Sequence, residues 1–110
     1  MAKIMKKKER TLEEYKRVGA QVRLCKVVVA RTVLALSRVL TAEEYVKVRR
    51  IIALLDEAAS KADDRMFHDH PELGSEYTKV FYGVLCGPAI TALDEEIRQL
   101  AKVAADEAFT

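Results

Sequence analysis

Residues 11–40, TLEEYKRVGAQVRLCKVVVARTVLALSRVL, decide the fold of this chain. Within them Tyr15, Val18, Val22, Cys25, Val29, Thr32, Leu36 and Val39 follow one another at alternating steps of three and four. That is a helical seam held for many turns, because residues three and four apart share one face of a helix. The triplet Val27-Val28-Val29 on its own fits a buried strand, since β-branched residues favour sheets. The long period outweighs it, and a single helix is predicted over 12–39. Thr11-Leu-Glu-Glu14 opens this helix with the signature of a capping box, in which the threonine hydroxyl and the glutamate each satisfy an end amide of the other.

The same reading carries outward. Thr41-Ala-Glu-Glu44 is a second capping box almost directly after the first helix, so the two helices are predicted to be antiparallel neighbours. Tyr45, Val48, Ile52, Leu55, Ala59, Ala62 and Met66 continue the three-and-four step. Pro71 ends the second helix, predicted at 42–68, because the residue before a proline avoids helical geometry. Ser75 is read as the cap of a short third helix holding Tyr77, Val80, Phe81, Val84 and Leu85. Gly87-Pro88 then breaks the chain, with Pro88 at the first position of a fourth helix running to residue 109. At about 1.5 Å per residue the first two helices reach roughly 40 Å, the fourth roughly 33 Å and the third only about 16 Å. The expected fold is therefore an all-α antiparallel bundle of two long helices and a shorter pair. Its long hairpin is incompletely covered unless helices 3 and 4 join as one rod or a second chain packs on it.

Composition supports one globular domain. The chain has 110 residues, 50% of them hydrophobic, 6% aromatic and 33% charged, with no Trp. This is too apolar for disorder and too poor in Gly and Pro for an all-β chain. Residues 1–10, MAKIMKKKER, read as a flexible basic arm preceding a domain at 11–110. No apolar run approaches a membrane span and no signal segment follows the basic start, so a cytoplasmic protein with no membrane contact is expected. Cys25 and Cys86 lie in apolar stretches and read as buried free thiols. Glu-Tyr-x-Lys/Arg-Val recurs at residues 14, 44 and 76; it reads as three helix starts built alike, since a true repeat would extend further.

The net charge of +2 hides an imbalance. Residues 1–50 hold 14 Lys/Arg and 5 Asp/Glu, residues 51–110 hold 5 and 12. Such a split points to a charged partner or to self-complementary packing. Lys6, Lys7, Lys8 and Arg10, followed by Lys16, Arg17, Arg23, Arg31 and Arg38 on the face of helix 1 opposite its seam, are the candidate partner-binding residues. A protein partner, a homodimer included, ranks first; nucleic acid bound through the phosphate backbone comes next, although no recognised nucleic-acid motif accompanies the stripe. Both histidines fall in Asp63-Asp64-Arg65-Met66-Phe67-His68-Asp69-His70. Asp64, His68, Asp69 and His70 could offer oxygen and nitrogen ligands to a first-row metal. Their spacing matches no strong metal motif, so no metal or cofactor is expected, and the bland alternative is a solvated helix end. There is no glycine-rich phosphate loop and no nucleophile with a base nearby in sequence. The expected function is a small non-enzymatic helical binding or regulatory protein, an inhibitor or assembly subunit. Nucleic-acid association is the alternative, and a metal-dependent activity at His68–His70 the second alternative.

Overall fold

A computed structural model describes residues 9–83, 85 and 91–109. Its elements are α1 (Leu12–Leu36), α2 (Ala42–Asp69), a 3-10 helix (Ser75–Lys79) and α3 (Ala92–Ala108). The fold is all-helical, and no strand occurs among the described residues.

The hairpin follows the sequence closely. The Thr11 side chain accepts from the Glu14 amide and opens α1. Thr41 and Glu44 form the full reciprocal capping box of α2. Helix α1 stops at Leu36 rather than running to Val39: the Ser37 hydroxyl donates to the Leu34 carbonyl, and residues 38 and 39 bond back three residues rather than four. A serine that bonds the preceding turn offers the backbone an alternative to further helix. At the other end of α2, His70 is extended in φ and Pro71 follows it, so the helix closes at Asp69.

The second half differs from expectation. Among the described residues there are three α-helices, not four. Residues 75–79 make a single 3-10 helix with Gly74 as its cap and no side-chain cap bond; Ser75 lies inside it. The physical reason lies on α1. Arg23 donates to the carbonyls of Val80 and Lys79, and Lys26 to that of Phe81. The Lys79 carbonyl also takes the Gly83 amide at 3.0 Å, but those of Val80 and Phe81 are engaged by α1, and a continuing α-helix needs them for its own amides. A run of Tyr, Thr, Val and Phe has weak helix propensity to compete with them. Gly87 and Pro88 lie outside the described residues, but the last helix does not begin at Pro88. Thr91 is extended, accepts from the Asp94 amide, and caps a helix whose first residue is Ala92.

Helix α1 is the middle element. It packs closely against α2 on one side and α3 on the other, and the 3-10 segment packs on α3. The core is gathered at one end, which we call the base. Tyr15 and Ala20 of α1, Ala59 and Met66 of α2, Val80, Phe81, and Ile97 and Ala101 of α3 are buried there. Gly19 makes this end possible. A side chain there would stand 2.6 Å from the Val80 carbonyl oxygen, so only glycine lets the 80–83 segment lie against α1. Glycine inside a helix costs about 1 kcal/mol relative to alanine, and here that cost is set against the burial of Val80 and Phe81. From residue 24 to residue 58, by contrast, Val33 alone is buried among the described residues.

Candidate functional site

The candidate basic residues divide by position along α1. Lys6, Lys7 and Lys8 lie outside the described residues. Arg10 is no loose arm residue: its guanidinium holds the Asp69 carboxylate at 2.7 and 3.2 Å. Tyr15 donates to the same carboxylate at 2.5 Å. Burial first, and then the bond to Asp69, push the Tyr15 hydroxyl up to about 12. The carboxylate in turn holds the Arg10 guanidinium above its ordinary range.

Lys16 and Arg23 are buried, not displayed. Lys16 reaches Glu96 of α3 at 3.0 Å. Burial alone would lower its ammonium, but the bond to and charge of Glu96 outweigh this, and it is raised. Arg23 is wholly enclosed, pairs with Asp94 of α3 at 2.7 Å, and binds the carbonyls of Lys79 and Val80. Asp94 is shared with Arg98, 3.2 Å away on α3 itself. Gly83 is close-packed on the Arg23 guanidinium. Arg17 stays on the surface, bonded to Glu14. Arg31 and Arg38 are exposed and make no ion pair among the described residues. The predicted stripe thus becomes two things: an internal seam of charges that joins the basic and acidic halves of one chain, and an exposed remainder beyond it.

The carboxylate and imidazole candidates separate as well. Asp69 is engaged with Arg10 and Tyr15. The His70 Nε2 donates to the Arg10 carbonyl at 2.9 Å, and its ring stands edge-on to Tyr15 at 5.8 Å. Asp64 and His68 are exposed. Among the described residues no three His, Cys, Asp or Glu side chains come together as a metal site. Cys25 is a half-buried free thiol; Cys86 lies outside the described residues. Asp63 keeps one buried carboxylate oxygen without a hydrogen-bond partner, and burial followed by the charge of Asp64 raises its carboxyl.

The remaining surface of note is the far end of the hairpin. Val28 is 55% exposed, Leu34 and Leu54 64% each, and Ile51 48%, with Val27, Val39 and Val46 also exposed. Between residues 27 and 55 the charged residues are Arg31, Arg38, Lys47, Arg49 and Arg50 against Glu43 and Glu44, and all are exposed. Glu44 is occupied by the cap of α2. This end therefore offers aliphatic side chains set among uncompensated positive charge. Exposed aliphatic clusters of this kind mark contact surfaces. Two of the nine basic candidates, Arg31 and Arg38, fall on it. Lys47, Arg49 and Arg50 were missed, although the run VKVRR signals them.

No protein-family model, curated protein or solved structure matches the chain. No helix among the described residues is long and apolar enough to cross a membrane.

Proposed function

We propose that this protein is a non-catalytic helical binding protein, a regulator or assembly subunit. It engages a protein partner, self included, through the far end of its α1–α2 hairpin. The observation that carries this reading is the bare aliphatic surface of residues 27–55, on a chain that uses Arg10, Lys16 and Arg23 internally against Asp69, Glu96 and Asp94. A helix pair gains little by projecting wet Val, Leu and Ile side chains unless something covers them, since stability comes from burying such a face against another layer. Site-specific photo-crosslinking in the producing cell tests it. A crosslinking residue at Leu34 is expected to yield discrete adducts, and one at Lys102 on α3 none. Equal labelling from both positions, or none from Leu34, overturns the reading.

A second reading draws on the same end. Arg31, Arg38, Lys47, Arg49 and Arg50 could neutralise phosphates, with affinity that falls steeply as salt rises because bound counterions are released. The aliphatic side chains between them have no role in such binding. Labelled DNA and RNA that migrate unchanged with the protein at low salt would remove this reading.

A further inference from the structure

Helix α2 carries a second seam. The first, Tyr45, Val48, Ile52, Leu55, Ala59, Ala62 and Met66, is the series that faces α1. Roughly a third of a turn around the helix, Lys47, Ile51, Leu54, Ala58 and Lys61 repeat the steps of four and three. All five are exposed. Each lysine is preceded four residues earlier by a glutamate, Glu43 before Lys47 and Glu57 before Lys61. Both glutamates are exposed, and Lys61 lies 3.4 Å from Glu57. The strip thus carries Ile51, Leu54 and Ala58 with charges at both ends, and the exposed Arg50 flanks its middle between Glu43 and Glu57.

This order is complementary to itself when reversed. About an axis through Ile52 and Ala53, Ile51 comes opposite Leu54 of a reversed copy, and Leu54 opposite Ile51. Lys47 falls within one residue, about 1.5 Å along the axis, of the other copy's Glu57. Glu43 falls within one residue of the other copy's Lys61. A parallel alignment sets each lysine against a lysine instead. A two-fold interface requires a patch that complements itself in this way, and opposed charges at flanking positions set the orientation of paired helices.

We propose that a second copy of this chain docks along the Glu43–Lys61 face of α2, antiparallel to the first and centred on Ile52–Ala53. The inference rests on the reading of the hairpin end as a docking region, and it names the occupant. Each copy contributes three apolar side chains from α2, so the contact is smaller than the ~800 Å² per partner of a standard interface, and the dimer dissociates in the micromolar range.

The test is a charge swap followed by sedimentation equilibrium over about 5–500 µM, spanning the range in which a micromolar contact dissociates. The wild-type chain is expected to dimerise. Lys47→Glu and Glu57→Lys each oppose like charges twice across the axis, and each is expected to weaken the dimer about tenfold or more. The double variant restores both pairs and is expected to return within about threefold of wild type. Both substitutions lie on exposed positions, and a thermal melt by circular dichroism confirms that each of the three variants is folded. A wild-type chain that stays monomeric throughout overturns the second copy as occupant and leaves the hairpin-end reading to the Leu34 crosslink. A dimer indifferent to both single changes overturns this face. A double variant as weak as the singles overturns the antiparallel register.

Discussion

The two ends of helix α1 lie in different surroundings. From Tyr15 to Arg23 its inner face is packed against α2, α3 and the 80s segment, and even a lysine and an arginine are buried there with carboxylates of α3 against them. From Val27 to Leu36 it has α2 on one side, and Val28 and Leu34 face solvent. One continuous helix with one seam serves both. The difference shows that hydrophobic periodicity establishes a helix but leaves open what covers it. The base is covered because Gly19 admits a neighbouring segment and because Asp94 and Glu96 meet Arg23 and Lys16. The far end has no such segment within the described residues.

Four substitutions probe this contrast, and the largest effect belongs to the base. Arg23→Ala removes the enclosed partner of Asp94 and the side-chain contacts to the Lys79 and Val80 carbonyls, while that of Lys26 to Phe81 stays. Breaking an enclosed ion pair costs about 3–5 kcal/mol, so denaturant unfolding is expected to show most of the stability gone. A loss below about 1 kcal/mol, within the range of exposed pairs, would mean that the base is as open as the end.

Tyr15→Phe removes one donor from Asp69 and is expected to cost about 1.5–3 kcal/mol, the range for a hydrogen bond to a charged group. The Tyr15 hydroxyl is raised from about 10 to about 12 in the fold, so the folded state holds its proton more tightly. Its contribution is therefore complete below about pH 10 and lost as pH rises through about 12. Alkaline unfolding of Tyr15→Phe is expected to lack that step.

Asp63→Asn is expected to raise the melting temperature slightly at pH 7. Its carboxyl is raised in the fold, so the charged form is disfavoured there and the native state gains on acidification. The benefit of the substitution is expected to fade as the pH falls toward the ordinary carboxylate range. A melting temperature that drops at pH 7 would mean that the Asp63 charge is paired.

The smallest effect is expected at the far end. Leu34→Gln in dilute solution is expected to change stability by no more than about 0.5 kcal/mol, as for surface sites generally. A loss of 2 kcal/mol or more, typical of a buried leucine, would show that the end has a cover of its own and would dissolve the contrast.

The hairpin was legible because its signals are local. Two Thr-x-x-Glu starts, two long seams and Pro71 place α1 and α2 to within three residues. The start of α3 carried the same signal, Thr91-Ala-Leu-Asp94, and was overlooked beside the more conspicuous Gly87-Pro88. The 75–79 segment was not legible as a 3-10 helix, because the side chains that claim its neighbouring carbonyls, Arg23 and Lys26, come from more than fifty residues away. The basic residues were found but their roles were not. The charge imbalance between the halves indicated either a partner or self-complementary packing, and only the approach of α3 to α1 shows that Lys16 and Arg23 belong to the second. Arg31 and Arg38 lie past the reach of α3, which helical spacing alone does not reveal.

The unbroken run of α1 from Leu12 to Leu36 has a mechanical consequence. The base clamps one stretch of a stiff rod, so the rotational setting of that stretch fixes the compass bearing of every side chain further along. One residue inserted near Lys26 turns Val28 and Leu34 by about 100° and advances them by about 1.5 Å, while the clamp stays where it was. Seven residues, close to two full turns, inserted there and matched by seven in α2, lengthen the rod by about 10 Å and bring the same bearings back. The hairpin can thus be tuned in reach without altering its aim, but only in steps of whole turns.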